Sequence, residues 1–217
     1  AAGAVTALKY SPCGRFLAAA GEGGVLRVYD AHKGQVGGYG LVAATPPAGS
    51  AVTHLDWSAD SKLLHTNTAA MDIHVWTAPG CQEAAPADAA QAEWATWTCI
   101  LGWPVQGIWG AGADGADVNA ACRSNRGEWV EGECSLATAD DFGRVRLFKY
   151  PSDVGRGKSR EYLGHSSHVS SAAFTFNDKF VVTAGGGDRC VFVWRHLEEL
   201  EDDNSDSDSS DDEEEEE

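Results

Sequence analysis

The chain has 217 residues and a formal net charge of −17, from 33 acidic and 16 basic side chains. Residues 198–217 hold 14 of the acids and no Lys or Arg, which leaves 19 acids against 16 bases in residues 1–197. A nearly neutral body followed by an acidic tail argues against a nucleic-acid-binding protein, which needs a basic face. No apolar run reaches the roughly 18 residues that a membrane-spanning helix needs.

The first predicted repeat covers residues 5–30 and reads VTALKYSPCGRFLAAAGEGGVLRVYD. Three apolar, strand-like runs alternate with polar or Gly-rich turns at Ser11–Gly14 and Gly21–Gly24, which indicates an antiparallel meander. The repeat ends on the aromatic residue Tyr29, which Asp30 follows. Downstream, residues 36–42 are predicted to form an outer strand before a Pro-Pro loop at 46–47.

Three further copies of this block follow, near residues 52–76, 118–150 and 169–195. The first valines of the four copies stand 47, 66 and 51 residues apart, and the third strands end in the aromatic residues Tyr29, Trp76, Phe148 and Trp194. The stretch 93–124, which leads into the third copy, has four tryptophans at 94, 97, 103 and 109. We interpret these as outer-strand packing between repeats, and an aromatic binding platform is the alternative.

The fourth copy carries a set of polar residues at fixed places. His165 precedes the first strand, Thr183 lies in the second, Asp188 sits in the following turn and Trp194 ends the third. A buried Asp must be hydrogen-bonded, and an imidazole, a hydroxyl and an indole N–H can form one network with it. The set resembles the structural network of a WD40 blade, whose signature recurs about every 40–45 residues.

The predicted fold class is therefore all-β, a WD40 β-propeller of about four blades in residues 1–197. Closed propellers typically have four to eight blades, so we expect these four to belong to a larger ring, with further blades of the same protein upstream of Ala1. On this view residues 1–197 alone are insoluble or oligomeric. A four-bladed ring and another antiparallel sandwich are the alternatives.

Catalytic and cofactor motifs are missing from the sequence: there is no G-x-S-x-G, P-loop or H-E-x-x-H. No cofactor is predicted. The six cysteines form no C-x-x-C pair, and His165 and His168 lack a third ligand, so no metal site is predicted either. Reduced core thiols are the expected state of the cysteines. The chain is not expected to be an enzyme.

Five segments narrow the resemblance: THLDWS (53–58), EWATWTC (93–99), GADGADVNAACRS (112–124), DDFGRVRLFKYP (140–151) and GHSSHV (164–169). Together they resemble the closing part of the second propeller in the echinoderm microtubule-associated protein-like family. The resemblance implies a non-enzymatic scaffold of the cytoplasm and cytoskeleton. The axoneme of cilia and flagella is a further expected location, because stable structural propellers are common in axonemes. Its implied partners are tubulin, microtubules and other microtubule-associated proteins. A general WD40 adaptor without tubulin contact is the alternative.

Under this interpretation one charged region is a candidate contact with tubulin, and a second is expected to be repelled by it. Lys149, Arg156, Lys158 and Arg160 form the most basic stretch of the body and are the candidate tubulin contact. Residues 198–217 are predicted to be a disordered acidic tail, because their single leucine cannot offset the entropy of ordering. The acidic tubulin surface is expected to repel this tail. Ser205, Ser209 and Ser210, each with an acid three residues on, are candidate phosphorylation sites.

Overall fold

A computed structural model of the chain describes residues 3–32, 38–109, 117–125, 134–152 and 157–197. These residues form four antiparallel sheets in which each strand pairs with its neighbour in the chain. The predicted all-β class and the number of blades are confirmed. None of the helices in the described residues is both long and apolar enough to cross a membrane. The acidic tail and its three serines lie outside the described residues.

Each sheet is called a blade here and is numbered in chain order. Blade 1 contains β1 (Val5–Tyr10), β2 (Phe16–Gly21), β3 (Arg27–Asp30) and β4 (Gly40–Ala44). Blade 2 contains β5 (Val52–Trp57), β6 (Leu63–Thr68) and β7 (Ile73–Thr77). The outer strand predicted at 36–42 is observed later, as β4, and residues 33–37 lie outside the described part.

The other two blades follow an irregular stretch. It contains a short helix, α1 (Pro86–Gln91), and a 3-10 helix (Trp103–Ile108), neither of which the sequence pattern indicated. Blade 3 contains β8 (Val118–Arg123), β9 (Cys134–Asp140), β10 (Arg144–Tyr150) and β11 (Ser159–Leu163). Blade 4 contains β12 (Val169–Phe174), β13 (Phe180–Gly185) and β14 (Val191–Arg195).

The first hairpin turn is built the same way in blades 1, 2 and 4. The hydroxyls of Ser11, Ser58 and Thr175 accept the backbone N–H five residues on, at 3.0, 2.8 and 3.2 Å. The residue three places after each hydroxyl has positive φ: Gly14, Ser61 and Asp178, at 72°, 62° and 56°. Short polar residues tolerate this conformation because their side chains hydrogen-bond locally.

The first strands, β1, β5, β8 and β12, all carry a register shift near their start. The extra residue is polar in every blade: Thr6, Thr53, Asn119 and Ser170. The Thr6 hydroxyl donates to the carbonyl of Val52 in blade 2, and Asn119 Nδ2 donates to the carbonyl of Val169 in blade 4 at 3.1 Å. The bulges therefore connect the first strands of neighbouring blades, β1 to β5 and β8 to β12, at the point where the core between the blades begins. These first strands are also called the inner strands.

The hydrophobic core lies between the blades. Blade 2 turns Leu55, Trp57, Leu64 and Trp76 toward blade 1, where they pack with Ala18, Ala20 and Val28. Blade 4 likewise packs Ala172, Val181 and Trp194 against blade 3. The outward faces of blades 1 and 4 carry exposed apolar side chains, among them Leu8, Tyr10, Leu41, Val191 and Val193.

Candidate functional site

The structure brings the four predicted side chains of blade 4 into one chain of hydrogen bonds. His165 Nδ1 lies 2.7 Å from Asp188 Oδ2, and His165 Nε2 lies 2.8 Å from Thr183 Oγ1. The Trp194 indole N–H donates to the same Thr183 oxygen at 2.9 Å. The contribution of this network to stability stays a prediction.

The hydrogen bonds of the network assign donor and acceptor roles to its members. The backbone N–H of Cys190, aided by His165 and the N–H of Ser166, lowers the pKa of Asp188, so its carboxylate is ionised and accepts only. In the neutral ring His165 therefore carries its proton on Nδ1. Nε2 then accepts from the Thr183 hydroxyl, whose oxygen is already bonded to Trp194.

A hydroxyl, an imidazole and a carboxylate in this order have the connectivity of a hydrolase triad. Thr183 is 0% exposed, however, and its oxygen is committed to the Trp194 indole N–H. A nucleophile must reach a substrate carbonyl, and this hydroxyl reaches only the interior of its own blade. The arrangement joins the hairpin of β13 and β14 to the entry of β12 and has no catalytic access.

The equivalent positions of the other blades keep less of the network. In blade 2 the Trp76 indole N–H donates to Thr66 Oγ1 at 3.1 Å. Blade 3 has Thr138 opposite Arg146 but ends in Phe148, which has no N–H to donate. Blade 1 has Ala19 and Tyr29 at these places, and its Asp30 instead accepts from Arg15 at 3.1 and 3.2 Å.

Residues 94–108, here called the wedge, fill the space between blades 2 and 3. Trp94 and Trp97 are 2% and 1% exposed, and their rings meet edge to face with centroids 5.8 Å apart. The wedge joins blade 2 through the N–H of Ala95, which donates to Trp57 O at 3.0 Å, and blade 3 through the N–H of Arg123, which donates to Trp97 O at 2.9 Å. The predicted packing between blades is observed, but these tryptophans are not on an outer strand.

A buried carboxylate, Asp56, holds blade 1, blade 2 and the wedge together. It is at the core of blade 2 with 0% of its side chain exposed. Lys9 Nζ and Thr96 Oγ1 each lie 2.6 Å from Oδ1, and the N–H groups of Thr98 and Cys99 donate to Oδ2 at 2.7 and 2.9 Å. A buried charge with this many donors is compensated on both oxygens.

Burial and hydrogen bonding have opposite effects on the pKa of Asp56. Burial acts to raise the pKa of Asp56, but Lys9 and the hydrogen-bond donors outweigh it and hold the pKa below its usual value. Burial also lowers the pKa of the neighbouring His65 to about 4, against the attraction of Asp56. Sequence reasoning missed Asp56 and Lys9. One sign of the buried acid was visible in the sequence, because Asp56 stands between Leu55 and Trp57 in a strand that has an apolar face.

The candidate tubulin contact is partly described. Arg160 in β11 pairs with Leu147 in β10, and Lys149 follows two residues later, so the two exposed cations share a face of blade 3. Lys158 is exposed just before β11, and Arg156 lies outside the described residues. Glu161 points to the opposite face, where it pairs with Arg146 at 3.2 Å and Arg144 at 3.5 Å.

Metal-binding clusters and disulfides are both absent from the part of the chain that the structure describes. In these ranges no group of three or more His, Cys, Asp or Glu side chains could hold a metal ion. None of the six cysteines, all of which are described, forms a disulfide, and Cys81, Cys99 and Cys134 are buried. What remains is an array of blades with polar inner strands and charged rims, a geometry suited to binding other macromolecules.

The repeated three- and four-stranded meanders, the bulges of their first strands and the network of blade 4 define a β-propeller of the WD40 type. A chain in the crystal structure of the Mitotic Checkpoint Complex shares this fold with a TM-score of 0.50 and 18% identity, over 89% of this chain and 50% of that one. Residues 1–196 match the family described as the echinoderm microtubule-associated protein second beta-propeller. The chain belongs to this family.

Its relatives are longer proteins. Echinoderm microtubule-associated protein-like 2 of Homo sapiens is 41% identical over 194 residues, and the 77 kDa echinoderm microtubule-associated protein of Lytechinus variegatus is 38% identical over 188. The matches cover 88% and 86% of this chain but only 28% and 27% of those proteins. The chain thus spans about a quarter of the length of the curated relatives it matches.

Proposed function

We propose that this chain is a non-enzymatic scaffold of a microtubule-associated protein, bound to tubulin and to other microtubule-associated proteins on the cytoskeleton of the cytoplasm. The observation that carries the proposal is the match of residues 1–196 to the second propeller of the echinoderm microtubule-associated proteins. The buried state of the triad-like array Thr183–His165–Asp188 favours a structural role over catalysis.

The proposed contact is the face of blade 3 that presents Lys149, Lys158 and Arg160. Opposite charges attract the basic side chains to an acidic tubulin surface, and salt weakens an exposed contact of this kind within a Debye length of about 8 Å at physiological ionic strength. Glu161, on the other side of the strand, is held away from this face by Arg144 and Arg146. A lattice contact here therefore meets cations without an intervening acid on the same strand face.

Co-sedimentation with polymerised microtubules tests the proposal. The triple variant Lys149→Glu, Lys158→Glu and Arg160→Glu is expected to bind more weakly and to show a flatter dependence on salt. The matched control reverses three exposed cations on the other blades, Lys62, Lys179 and Arg189, and changes the net charge equally. Equal losses in both triple variants would mean that net charge and not this face governs binding.

A general adaptor that binds peptides without tubulin contact is the second candidate. The propeller fold itself supports this candidate, since the array of blades is suited to binding proteins without reference to tubulin. An unmodified chain that stays in the supernatant at low salt would select this function. The extension to cilia and flagella has its own test, which compares binding to axonemal doublets with binding to cytoplasmic microtubules.

The open faces of blades 1 and 4 support one more partner, further blades of the same protein. The side chains exposed there, such as Leu8 and Val193, match residues that blade-to-blade packing buries elsewhere in this fold. The relatives are long enough to supply such blades. Hydrogen exchange in a longer form of the protein tests this packing. Slow deuterium exchange of the backbone amides on these faces would support it.

A further inference from the structure

A groove runs between the outer parts of blades 3 and 4. Its cavity volume is about 160 Å³. Leu147, Val181 and Trp194 form the apolar floor, and Arg160, Arg195 and Leu197 stand at the rim. An apolar floor with charged groups at its edge is typical of a site that takes one side chain of a polar segment.

The size of the groove limits its occupant. Sites for drug-sized ligands and cofactors usually have about 300–1,000 Å³, and a water molecule in the liquid takes about 30 Å³. A volume of about 160 Å³ is therefore too small for a cofactor. It suits one aliphatic side chain, whose burial against Trp194 and Leu147 removes apolar surface from water.

The charge of the rim limits the occupant further. Arg160 and Arg195 are both exposed, and no carboxylate is found among the described residues that line the groove. Charge-assisted hydrogen bonds from guanidinium to carboxylate are among the strongest that a surface can offer. The occupant should carry acids on both sides of its aliphatic residue.

The chain itself continues into such a segment. Leu197 lines the groove, and residues 198–217 follow it with 14 acids and one apolar residue, Leu200, with Glu199 and Glu201 on either side. Three residues span at most about 10 Å, which is enough to return from Leu197 to the groove. We propose that Leu200 docks in the groove between blades 3 and 4 and that the neighbouring glutamates pair with Arg160 and Arg195.

The docking is tested without microtubules, because it and the proposed tubulin contact both use Arg160 and would compete for that side chain. It also agrees with the composition of the tail, which predicts no stable structure by itself because it lacks apolar residues to bury. The groove supplies the missing apolar partner, so ordering concerns only the first few residues of the tail. The remaining acids stay outside the groove.

Photo-crosslinking in the full chain tests the proposal. A diazirine analogue of leucine in place of Leu200 keeps the size of the docking side chain and is expected to crosslink within one molecule to β10, β11 and Trp194. The same probe in place of Glu214 should not mark these strands. The double variant Arg160→Glu and Arg195→Glu should lower the yield on β10 and β11 by at least about tenfold, since the loss of even one of the two charge-assisted hydrogen bonds has an effect of that size. The matched variant Lys149→Glu and Arg189→Glu should leave it unchanged.

Three outcomes would overturn the docking. They are crosslinks confined to residues next to position 200 in the chain, crosslinks between two copies that grow with concentration, and yields indifferent to the Arg160 and Arg195 changes. Melting curves of both double variants show whether each is folded. Should the Arg160 and Arg195 variant not fold, 1 M salt applied to the unmodified chain is the substitute test, since it should reduce the same crosslinks.

Discussion

Blades 1 and 2 present the same face in two different surroundings. Leu8 and Tyr10 of β1 occupy the positions of Leu55 and Trp57 in β5, counted from the valine before each bulge. Leu55 and Trp57 are each 1% exposed because blade 1 covers them, whereas Leu8 and Tyr10 are 58% and 53% exposed. The two pairs of side chains are alike in kind, so the neighbouring blade accounts for the difference in their exposure.

The comparison shows that local sequence determines the shape of a blade but not its burial. A large apolar side chain stabilises the fold only when another surface removes it from water. The face of blade 1 has the composition of an interface, and exposed apolar patches of this kind mark contact sites in monomeric proteins. Substitutions at matched positions in the two blades therefore measure what the cover contributes.

The largest expected effect is at the covered face. Trp57→Ala should lower the free energy of unfolding by about 3–5 kcal/mol, because it opens a cavity and removes the indole donor to Lys9 O. The matched change Tyr10→Ala on the open face should cost no more than about 0.5 kcal/mol. Guanidinium unfolding of the two variants measures both values. Similar losses in the two variants would show that blade 1 is also covered.

The ion pair that joins the two blades comes next. Lys9→Met should cost about 3 kcal/mol, because it leaves the buried Asp56 charge without its cation, although Thr96, Thr98 and Cys99 still donate to it. Lys62→Met is the control, since the Lys62–Asp60 pair is largely exposed and should be worth less than about 1 kcal/mol. Thermal melts distinguish the two, and equal melting temperatures would contradict a buried role for Lys9.

The same pair predicts a response to acid. The folded pKa of Asp56 lies below its ordinary value, so its contribution is present above that value and is lost as the pH falls toward the folded pKa. His65, with its pKa lowered to about 4, makes the unfolded chain bind a proton first, so stability already declines between about pH 6.5 and 4. Lys9→Met should move the Asp56 step to higher pH and leave the His65 step in place, as acid titrations of unfolding would record.

A smaller effect on stability is expected in blade 4, where a hydrogen-bond network takes the place of a covering apolar surface. Asp188→Ala should cost about 1–3 kcal/mol, because it removes the acceptor of His165 and leaves that buried ring without it. Asp72 occupies the corresponding turn of blade 2, where it is exposed and bonded only to Thr68, so Asp72→Ala should change stability by about 0.5 kcal/mol or less. Differential scanning calorimetry compares the two, and an unchanged midpoint for Asp188→Ala would rule the network out as a source of stability.

The smallest effect concerns the first turn, where Cys13 in blade 1 corresponds to Asp60 in blade 2. The hydroxyls of Ser11 and Ser58 lie 3.2 and 2.7 Å from these groups and are the main cause that lowers the pKa of each. Ser11→Ala should raise the pKa of the exposed Cys13 thiol and shift its alkylation by iodoacetamide to higher pH. Cys190, also exposed, is the internal reference, and a parallel shift at both cysteines would argue for a general loosening.

The repeats were predictable because each is encoded locally. Short apolar runs separated by polar or Gly-rich turns indicated the strands, and Gly14 and Gly24, the last residues of two predicted turns, have φ of 72° and 67°. The network of blade 4 was visible as four residue types at fixed positions within about 30 residues.

The wedge and its carboxylate were not predictable in this way. Trp94 and Trp97 follow no helical or strand period, since their positions are set by contacts to two blades at once. Asp56 binds donors 40 to 47 residues away in either direction, and nothing near it in the sequence signals them. The Lys9 to Thr98 contact joins positions 89 apart.

The wedge also sets the unit that can be exchanged between proteins of this fold. Blades 1 and 2, and blades 3 and 4, meet through their own strands, so a recombined chain could replace blade 4, or could replace blade 1 by a blade that keeps a lysine at position 9. Blades 2 and 3 meet through the wedge, which supplies Thr96 and Thr98 to Asp56 and occupies the longest interval between copies. In modular terms blade 2, the wedge and blade 3 form one cassette, and a graft that divides it would inherit a buried acid without its donors.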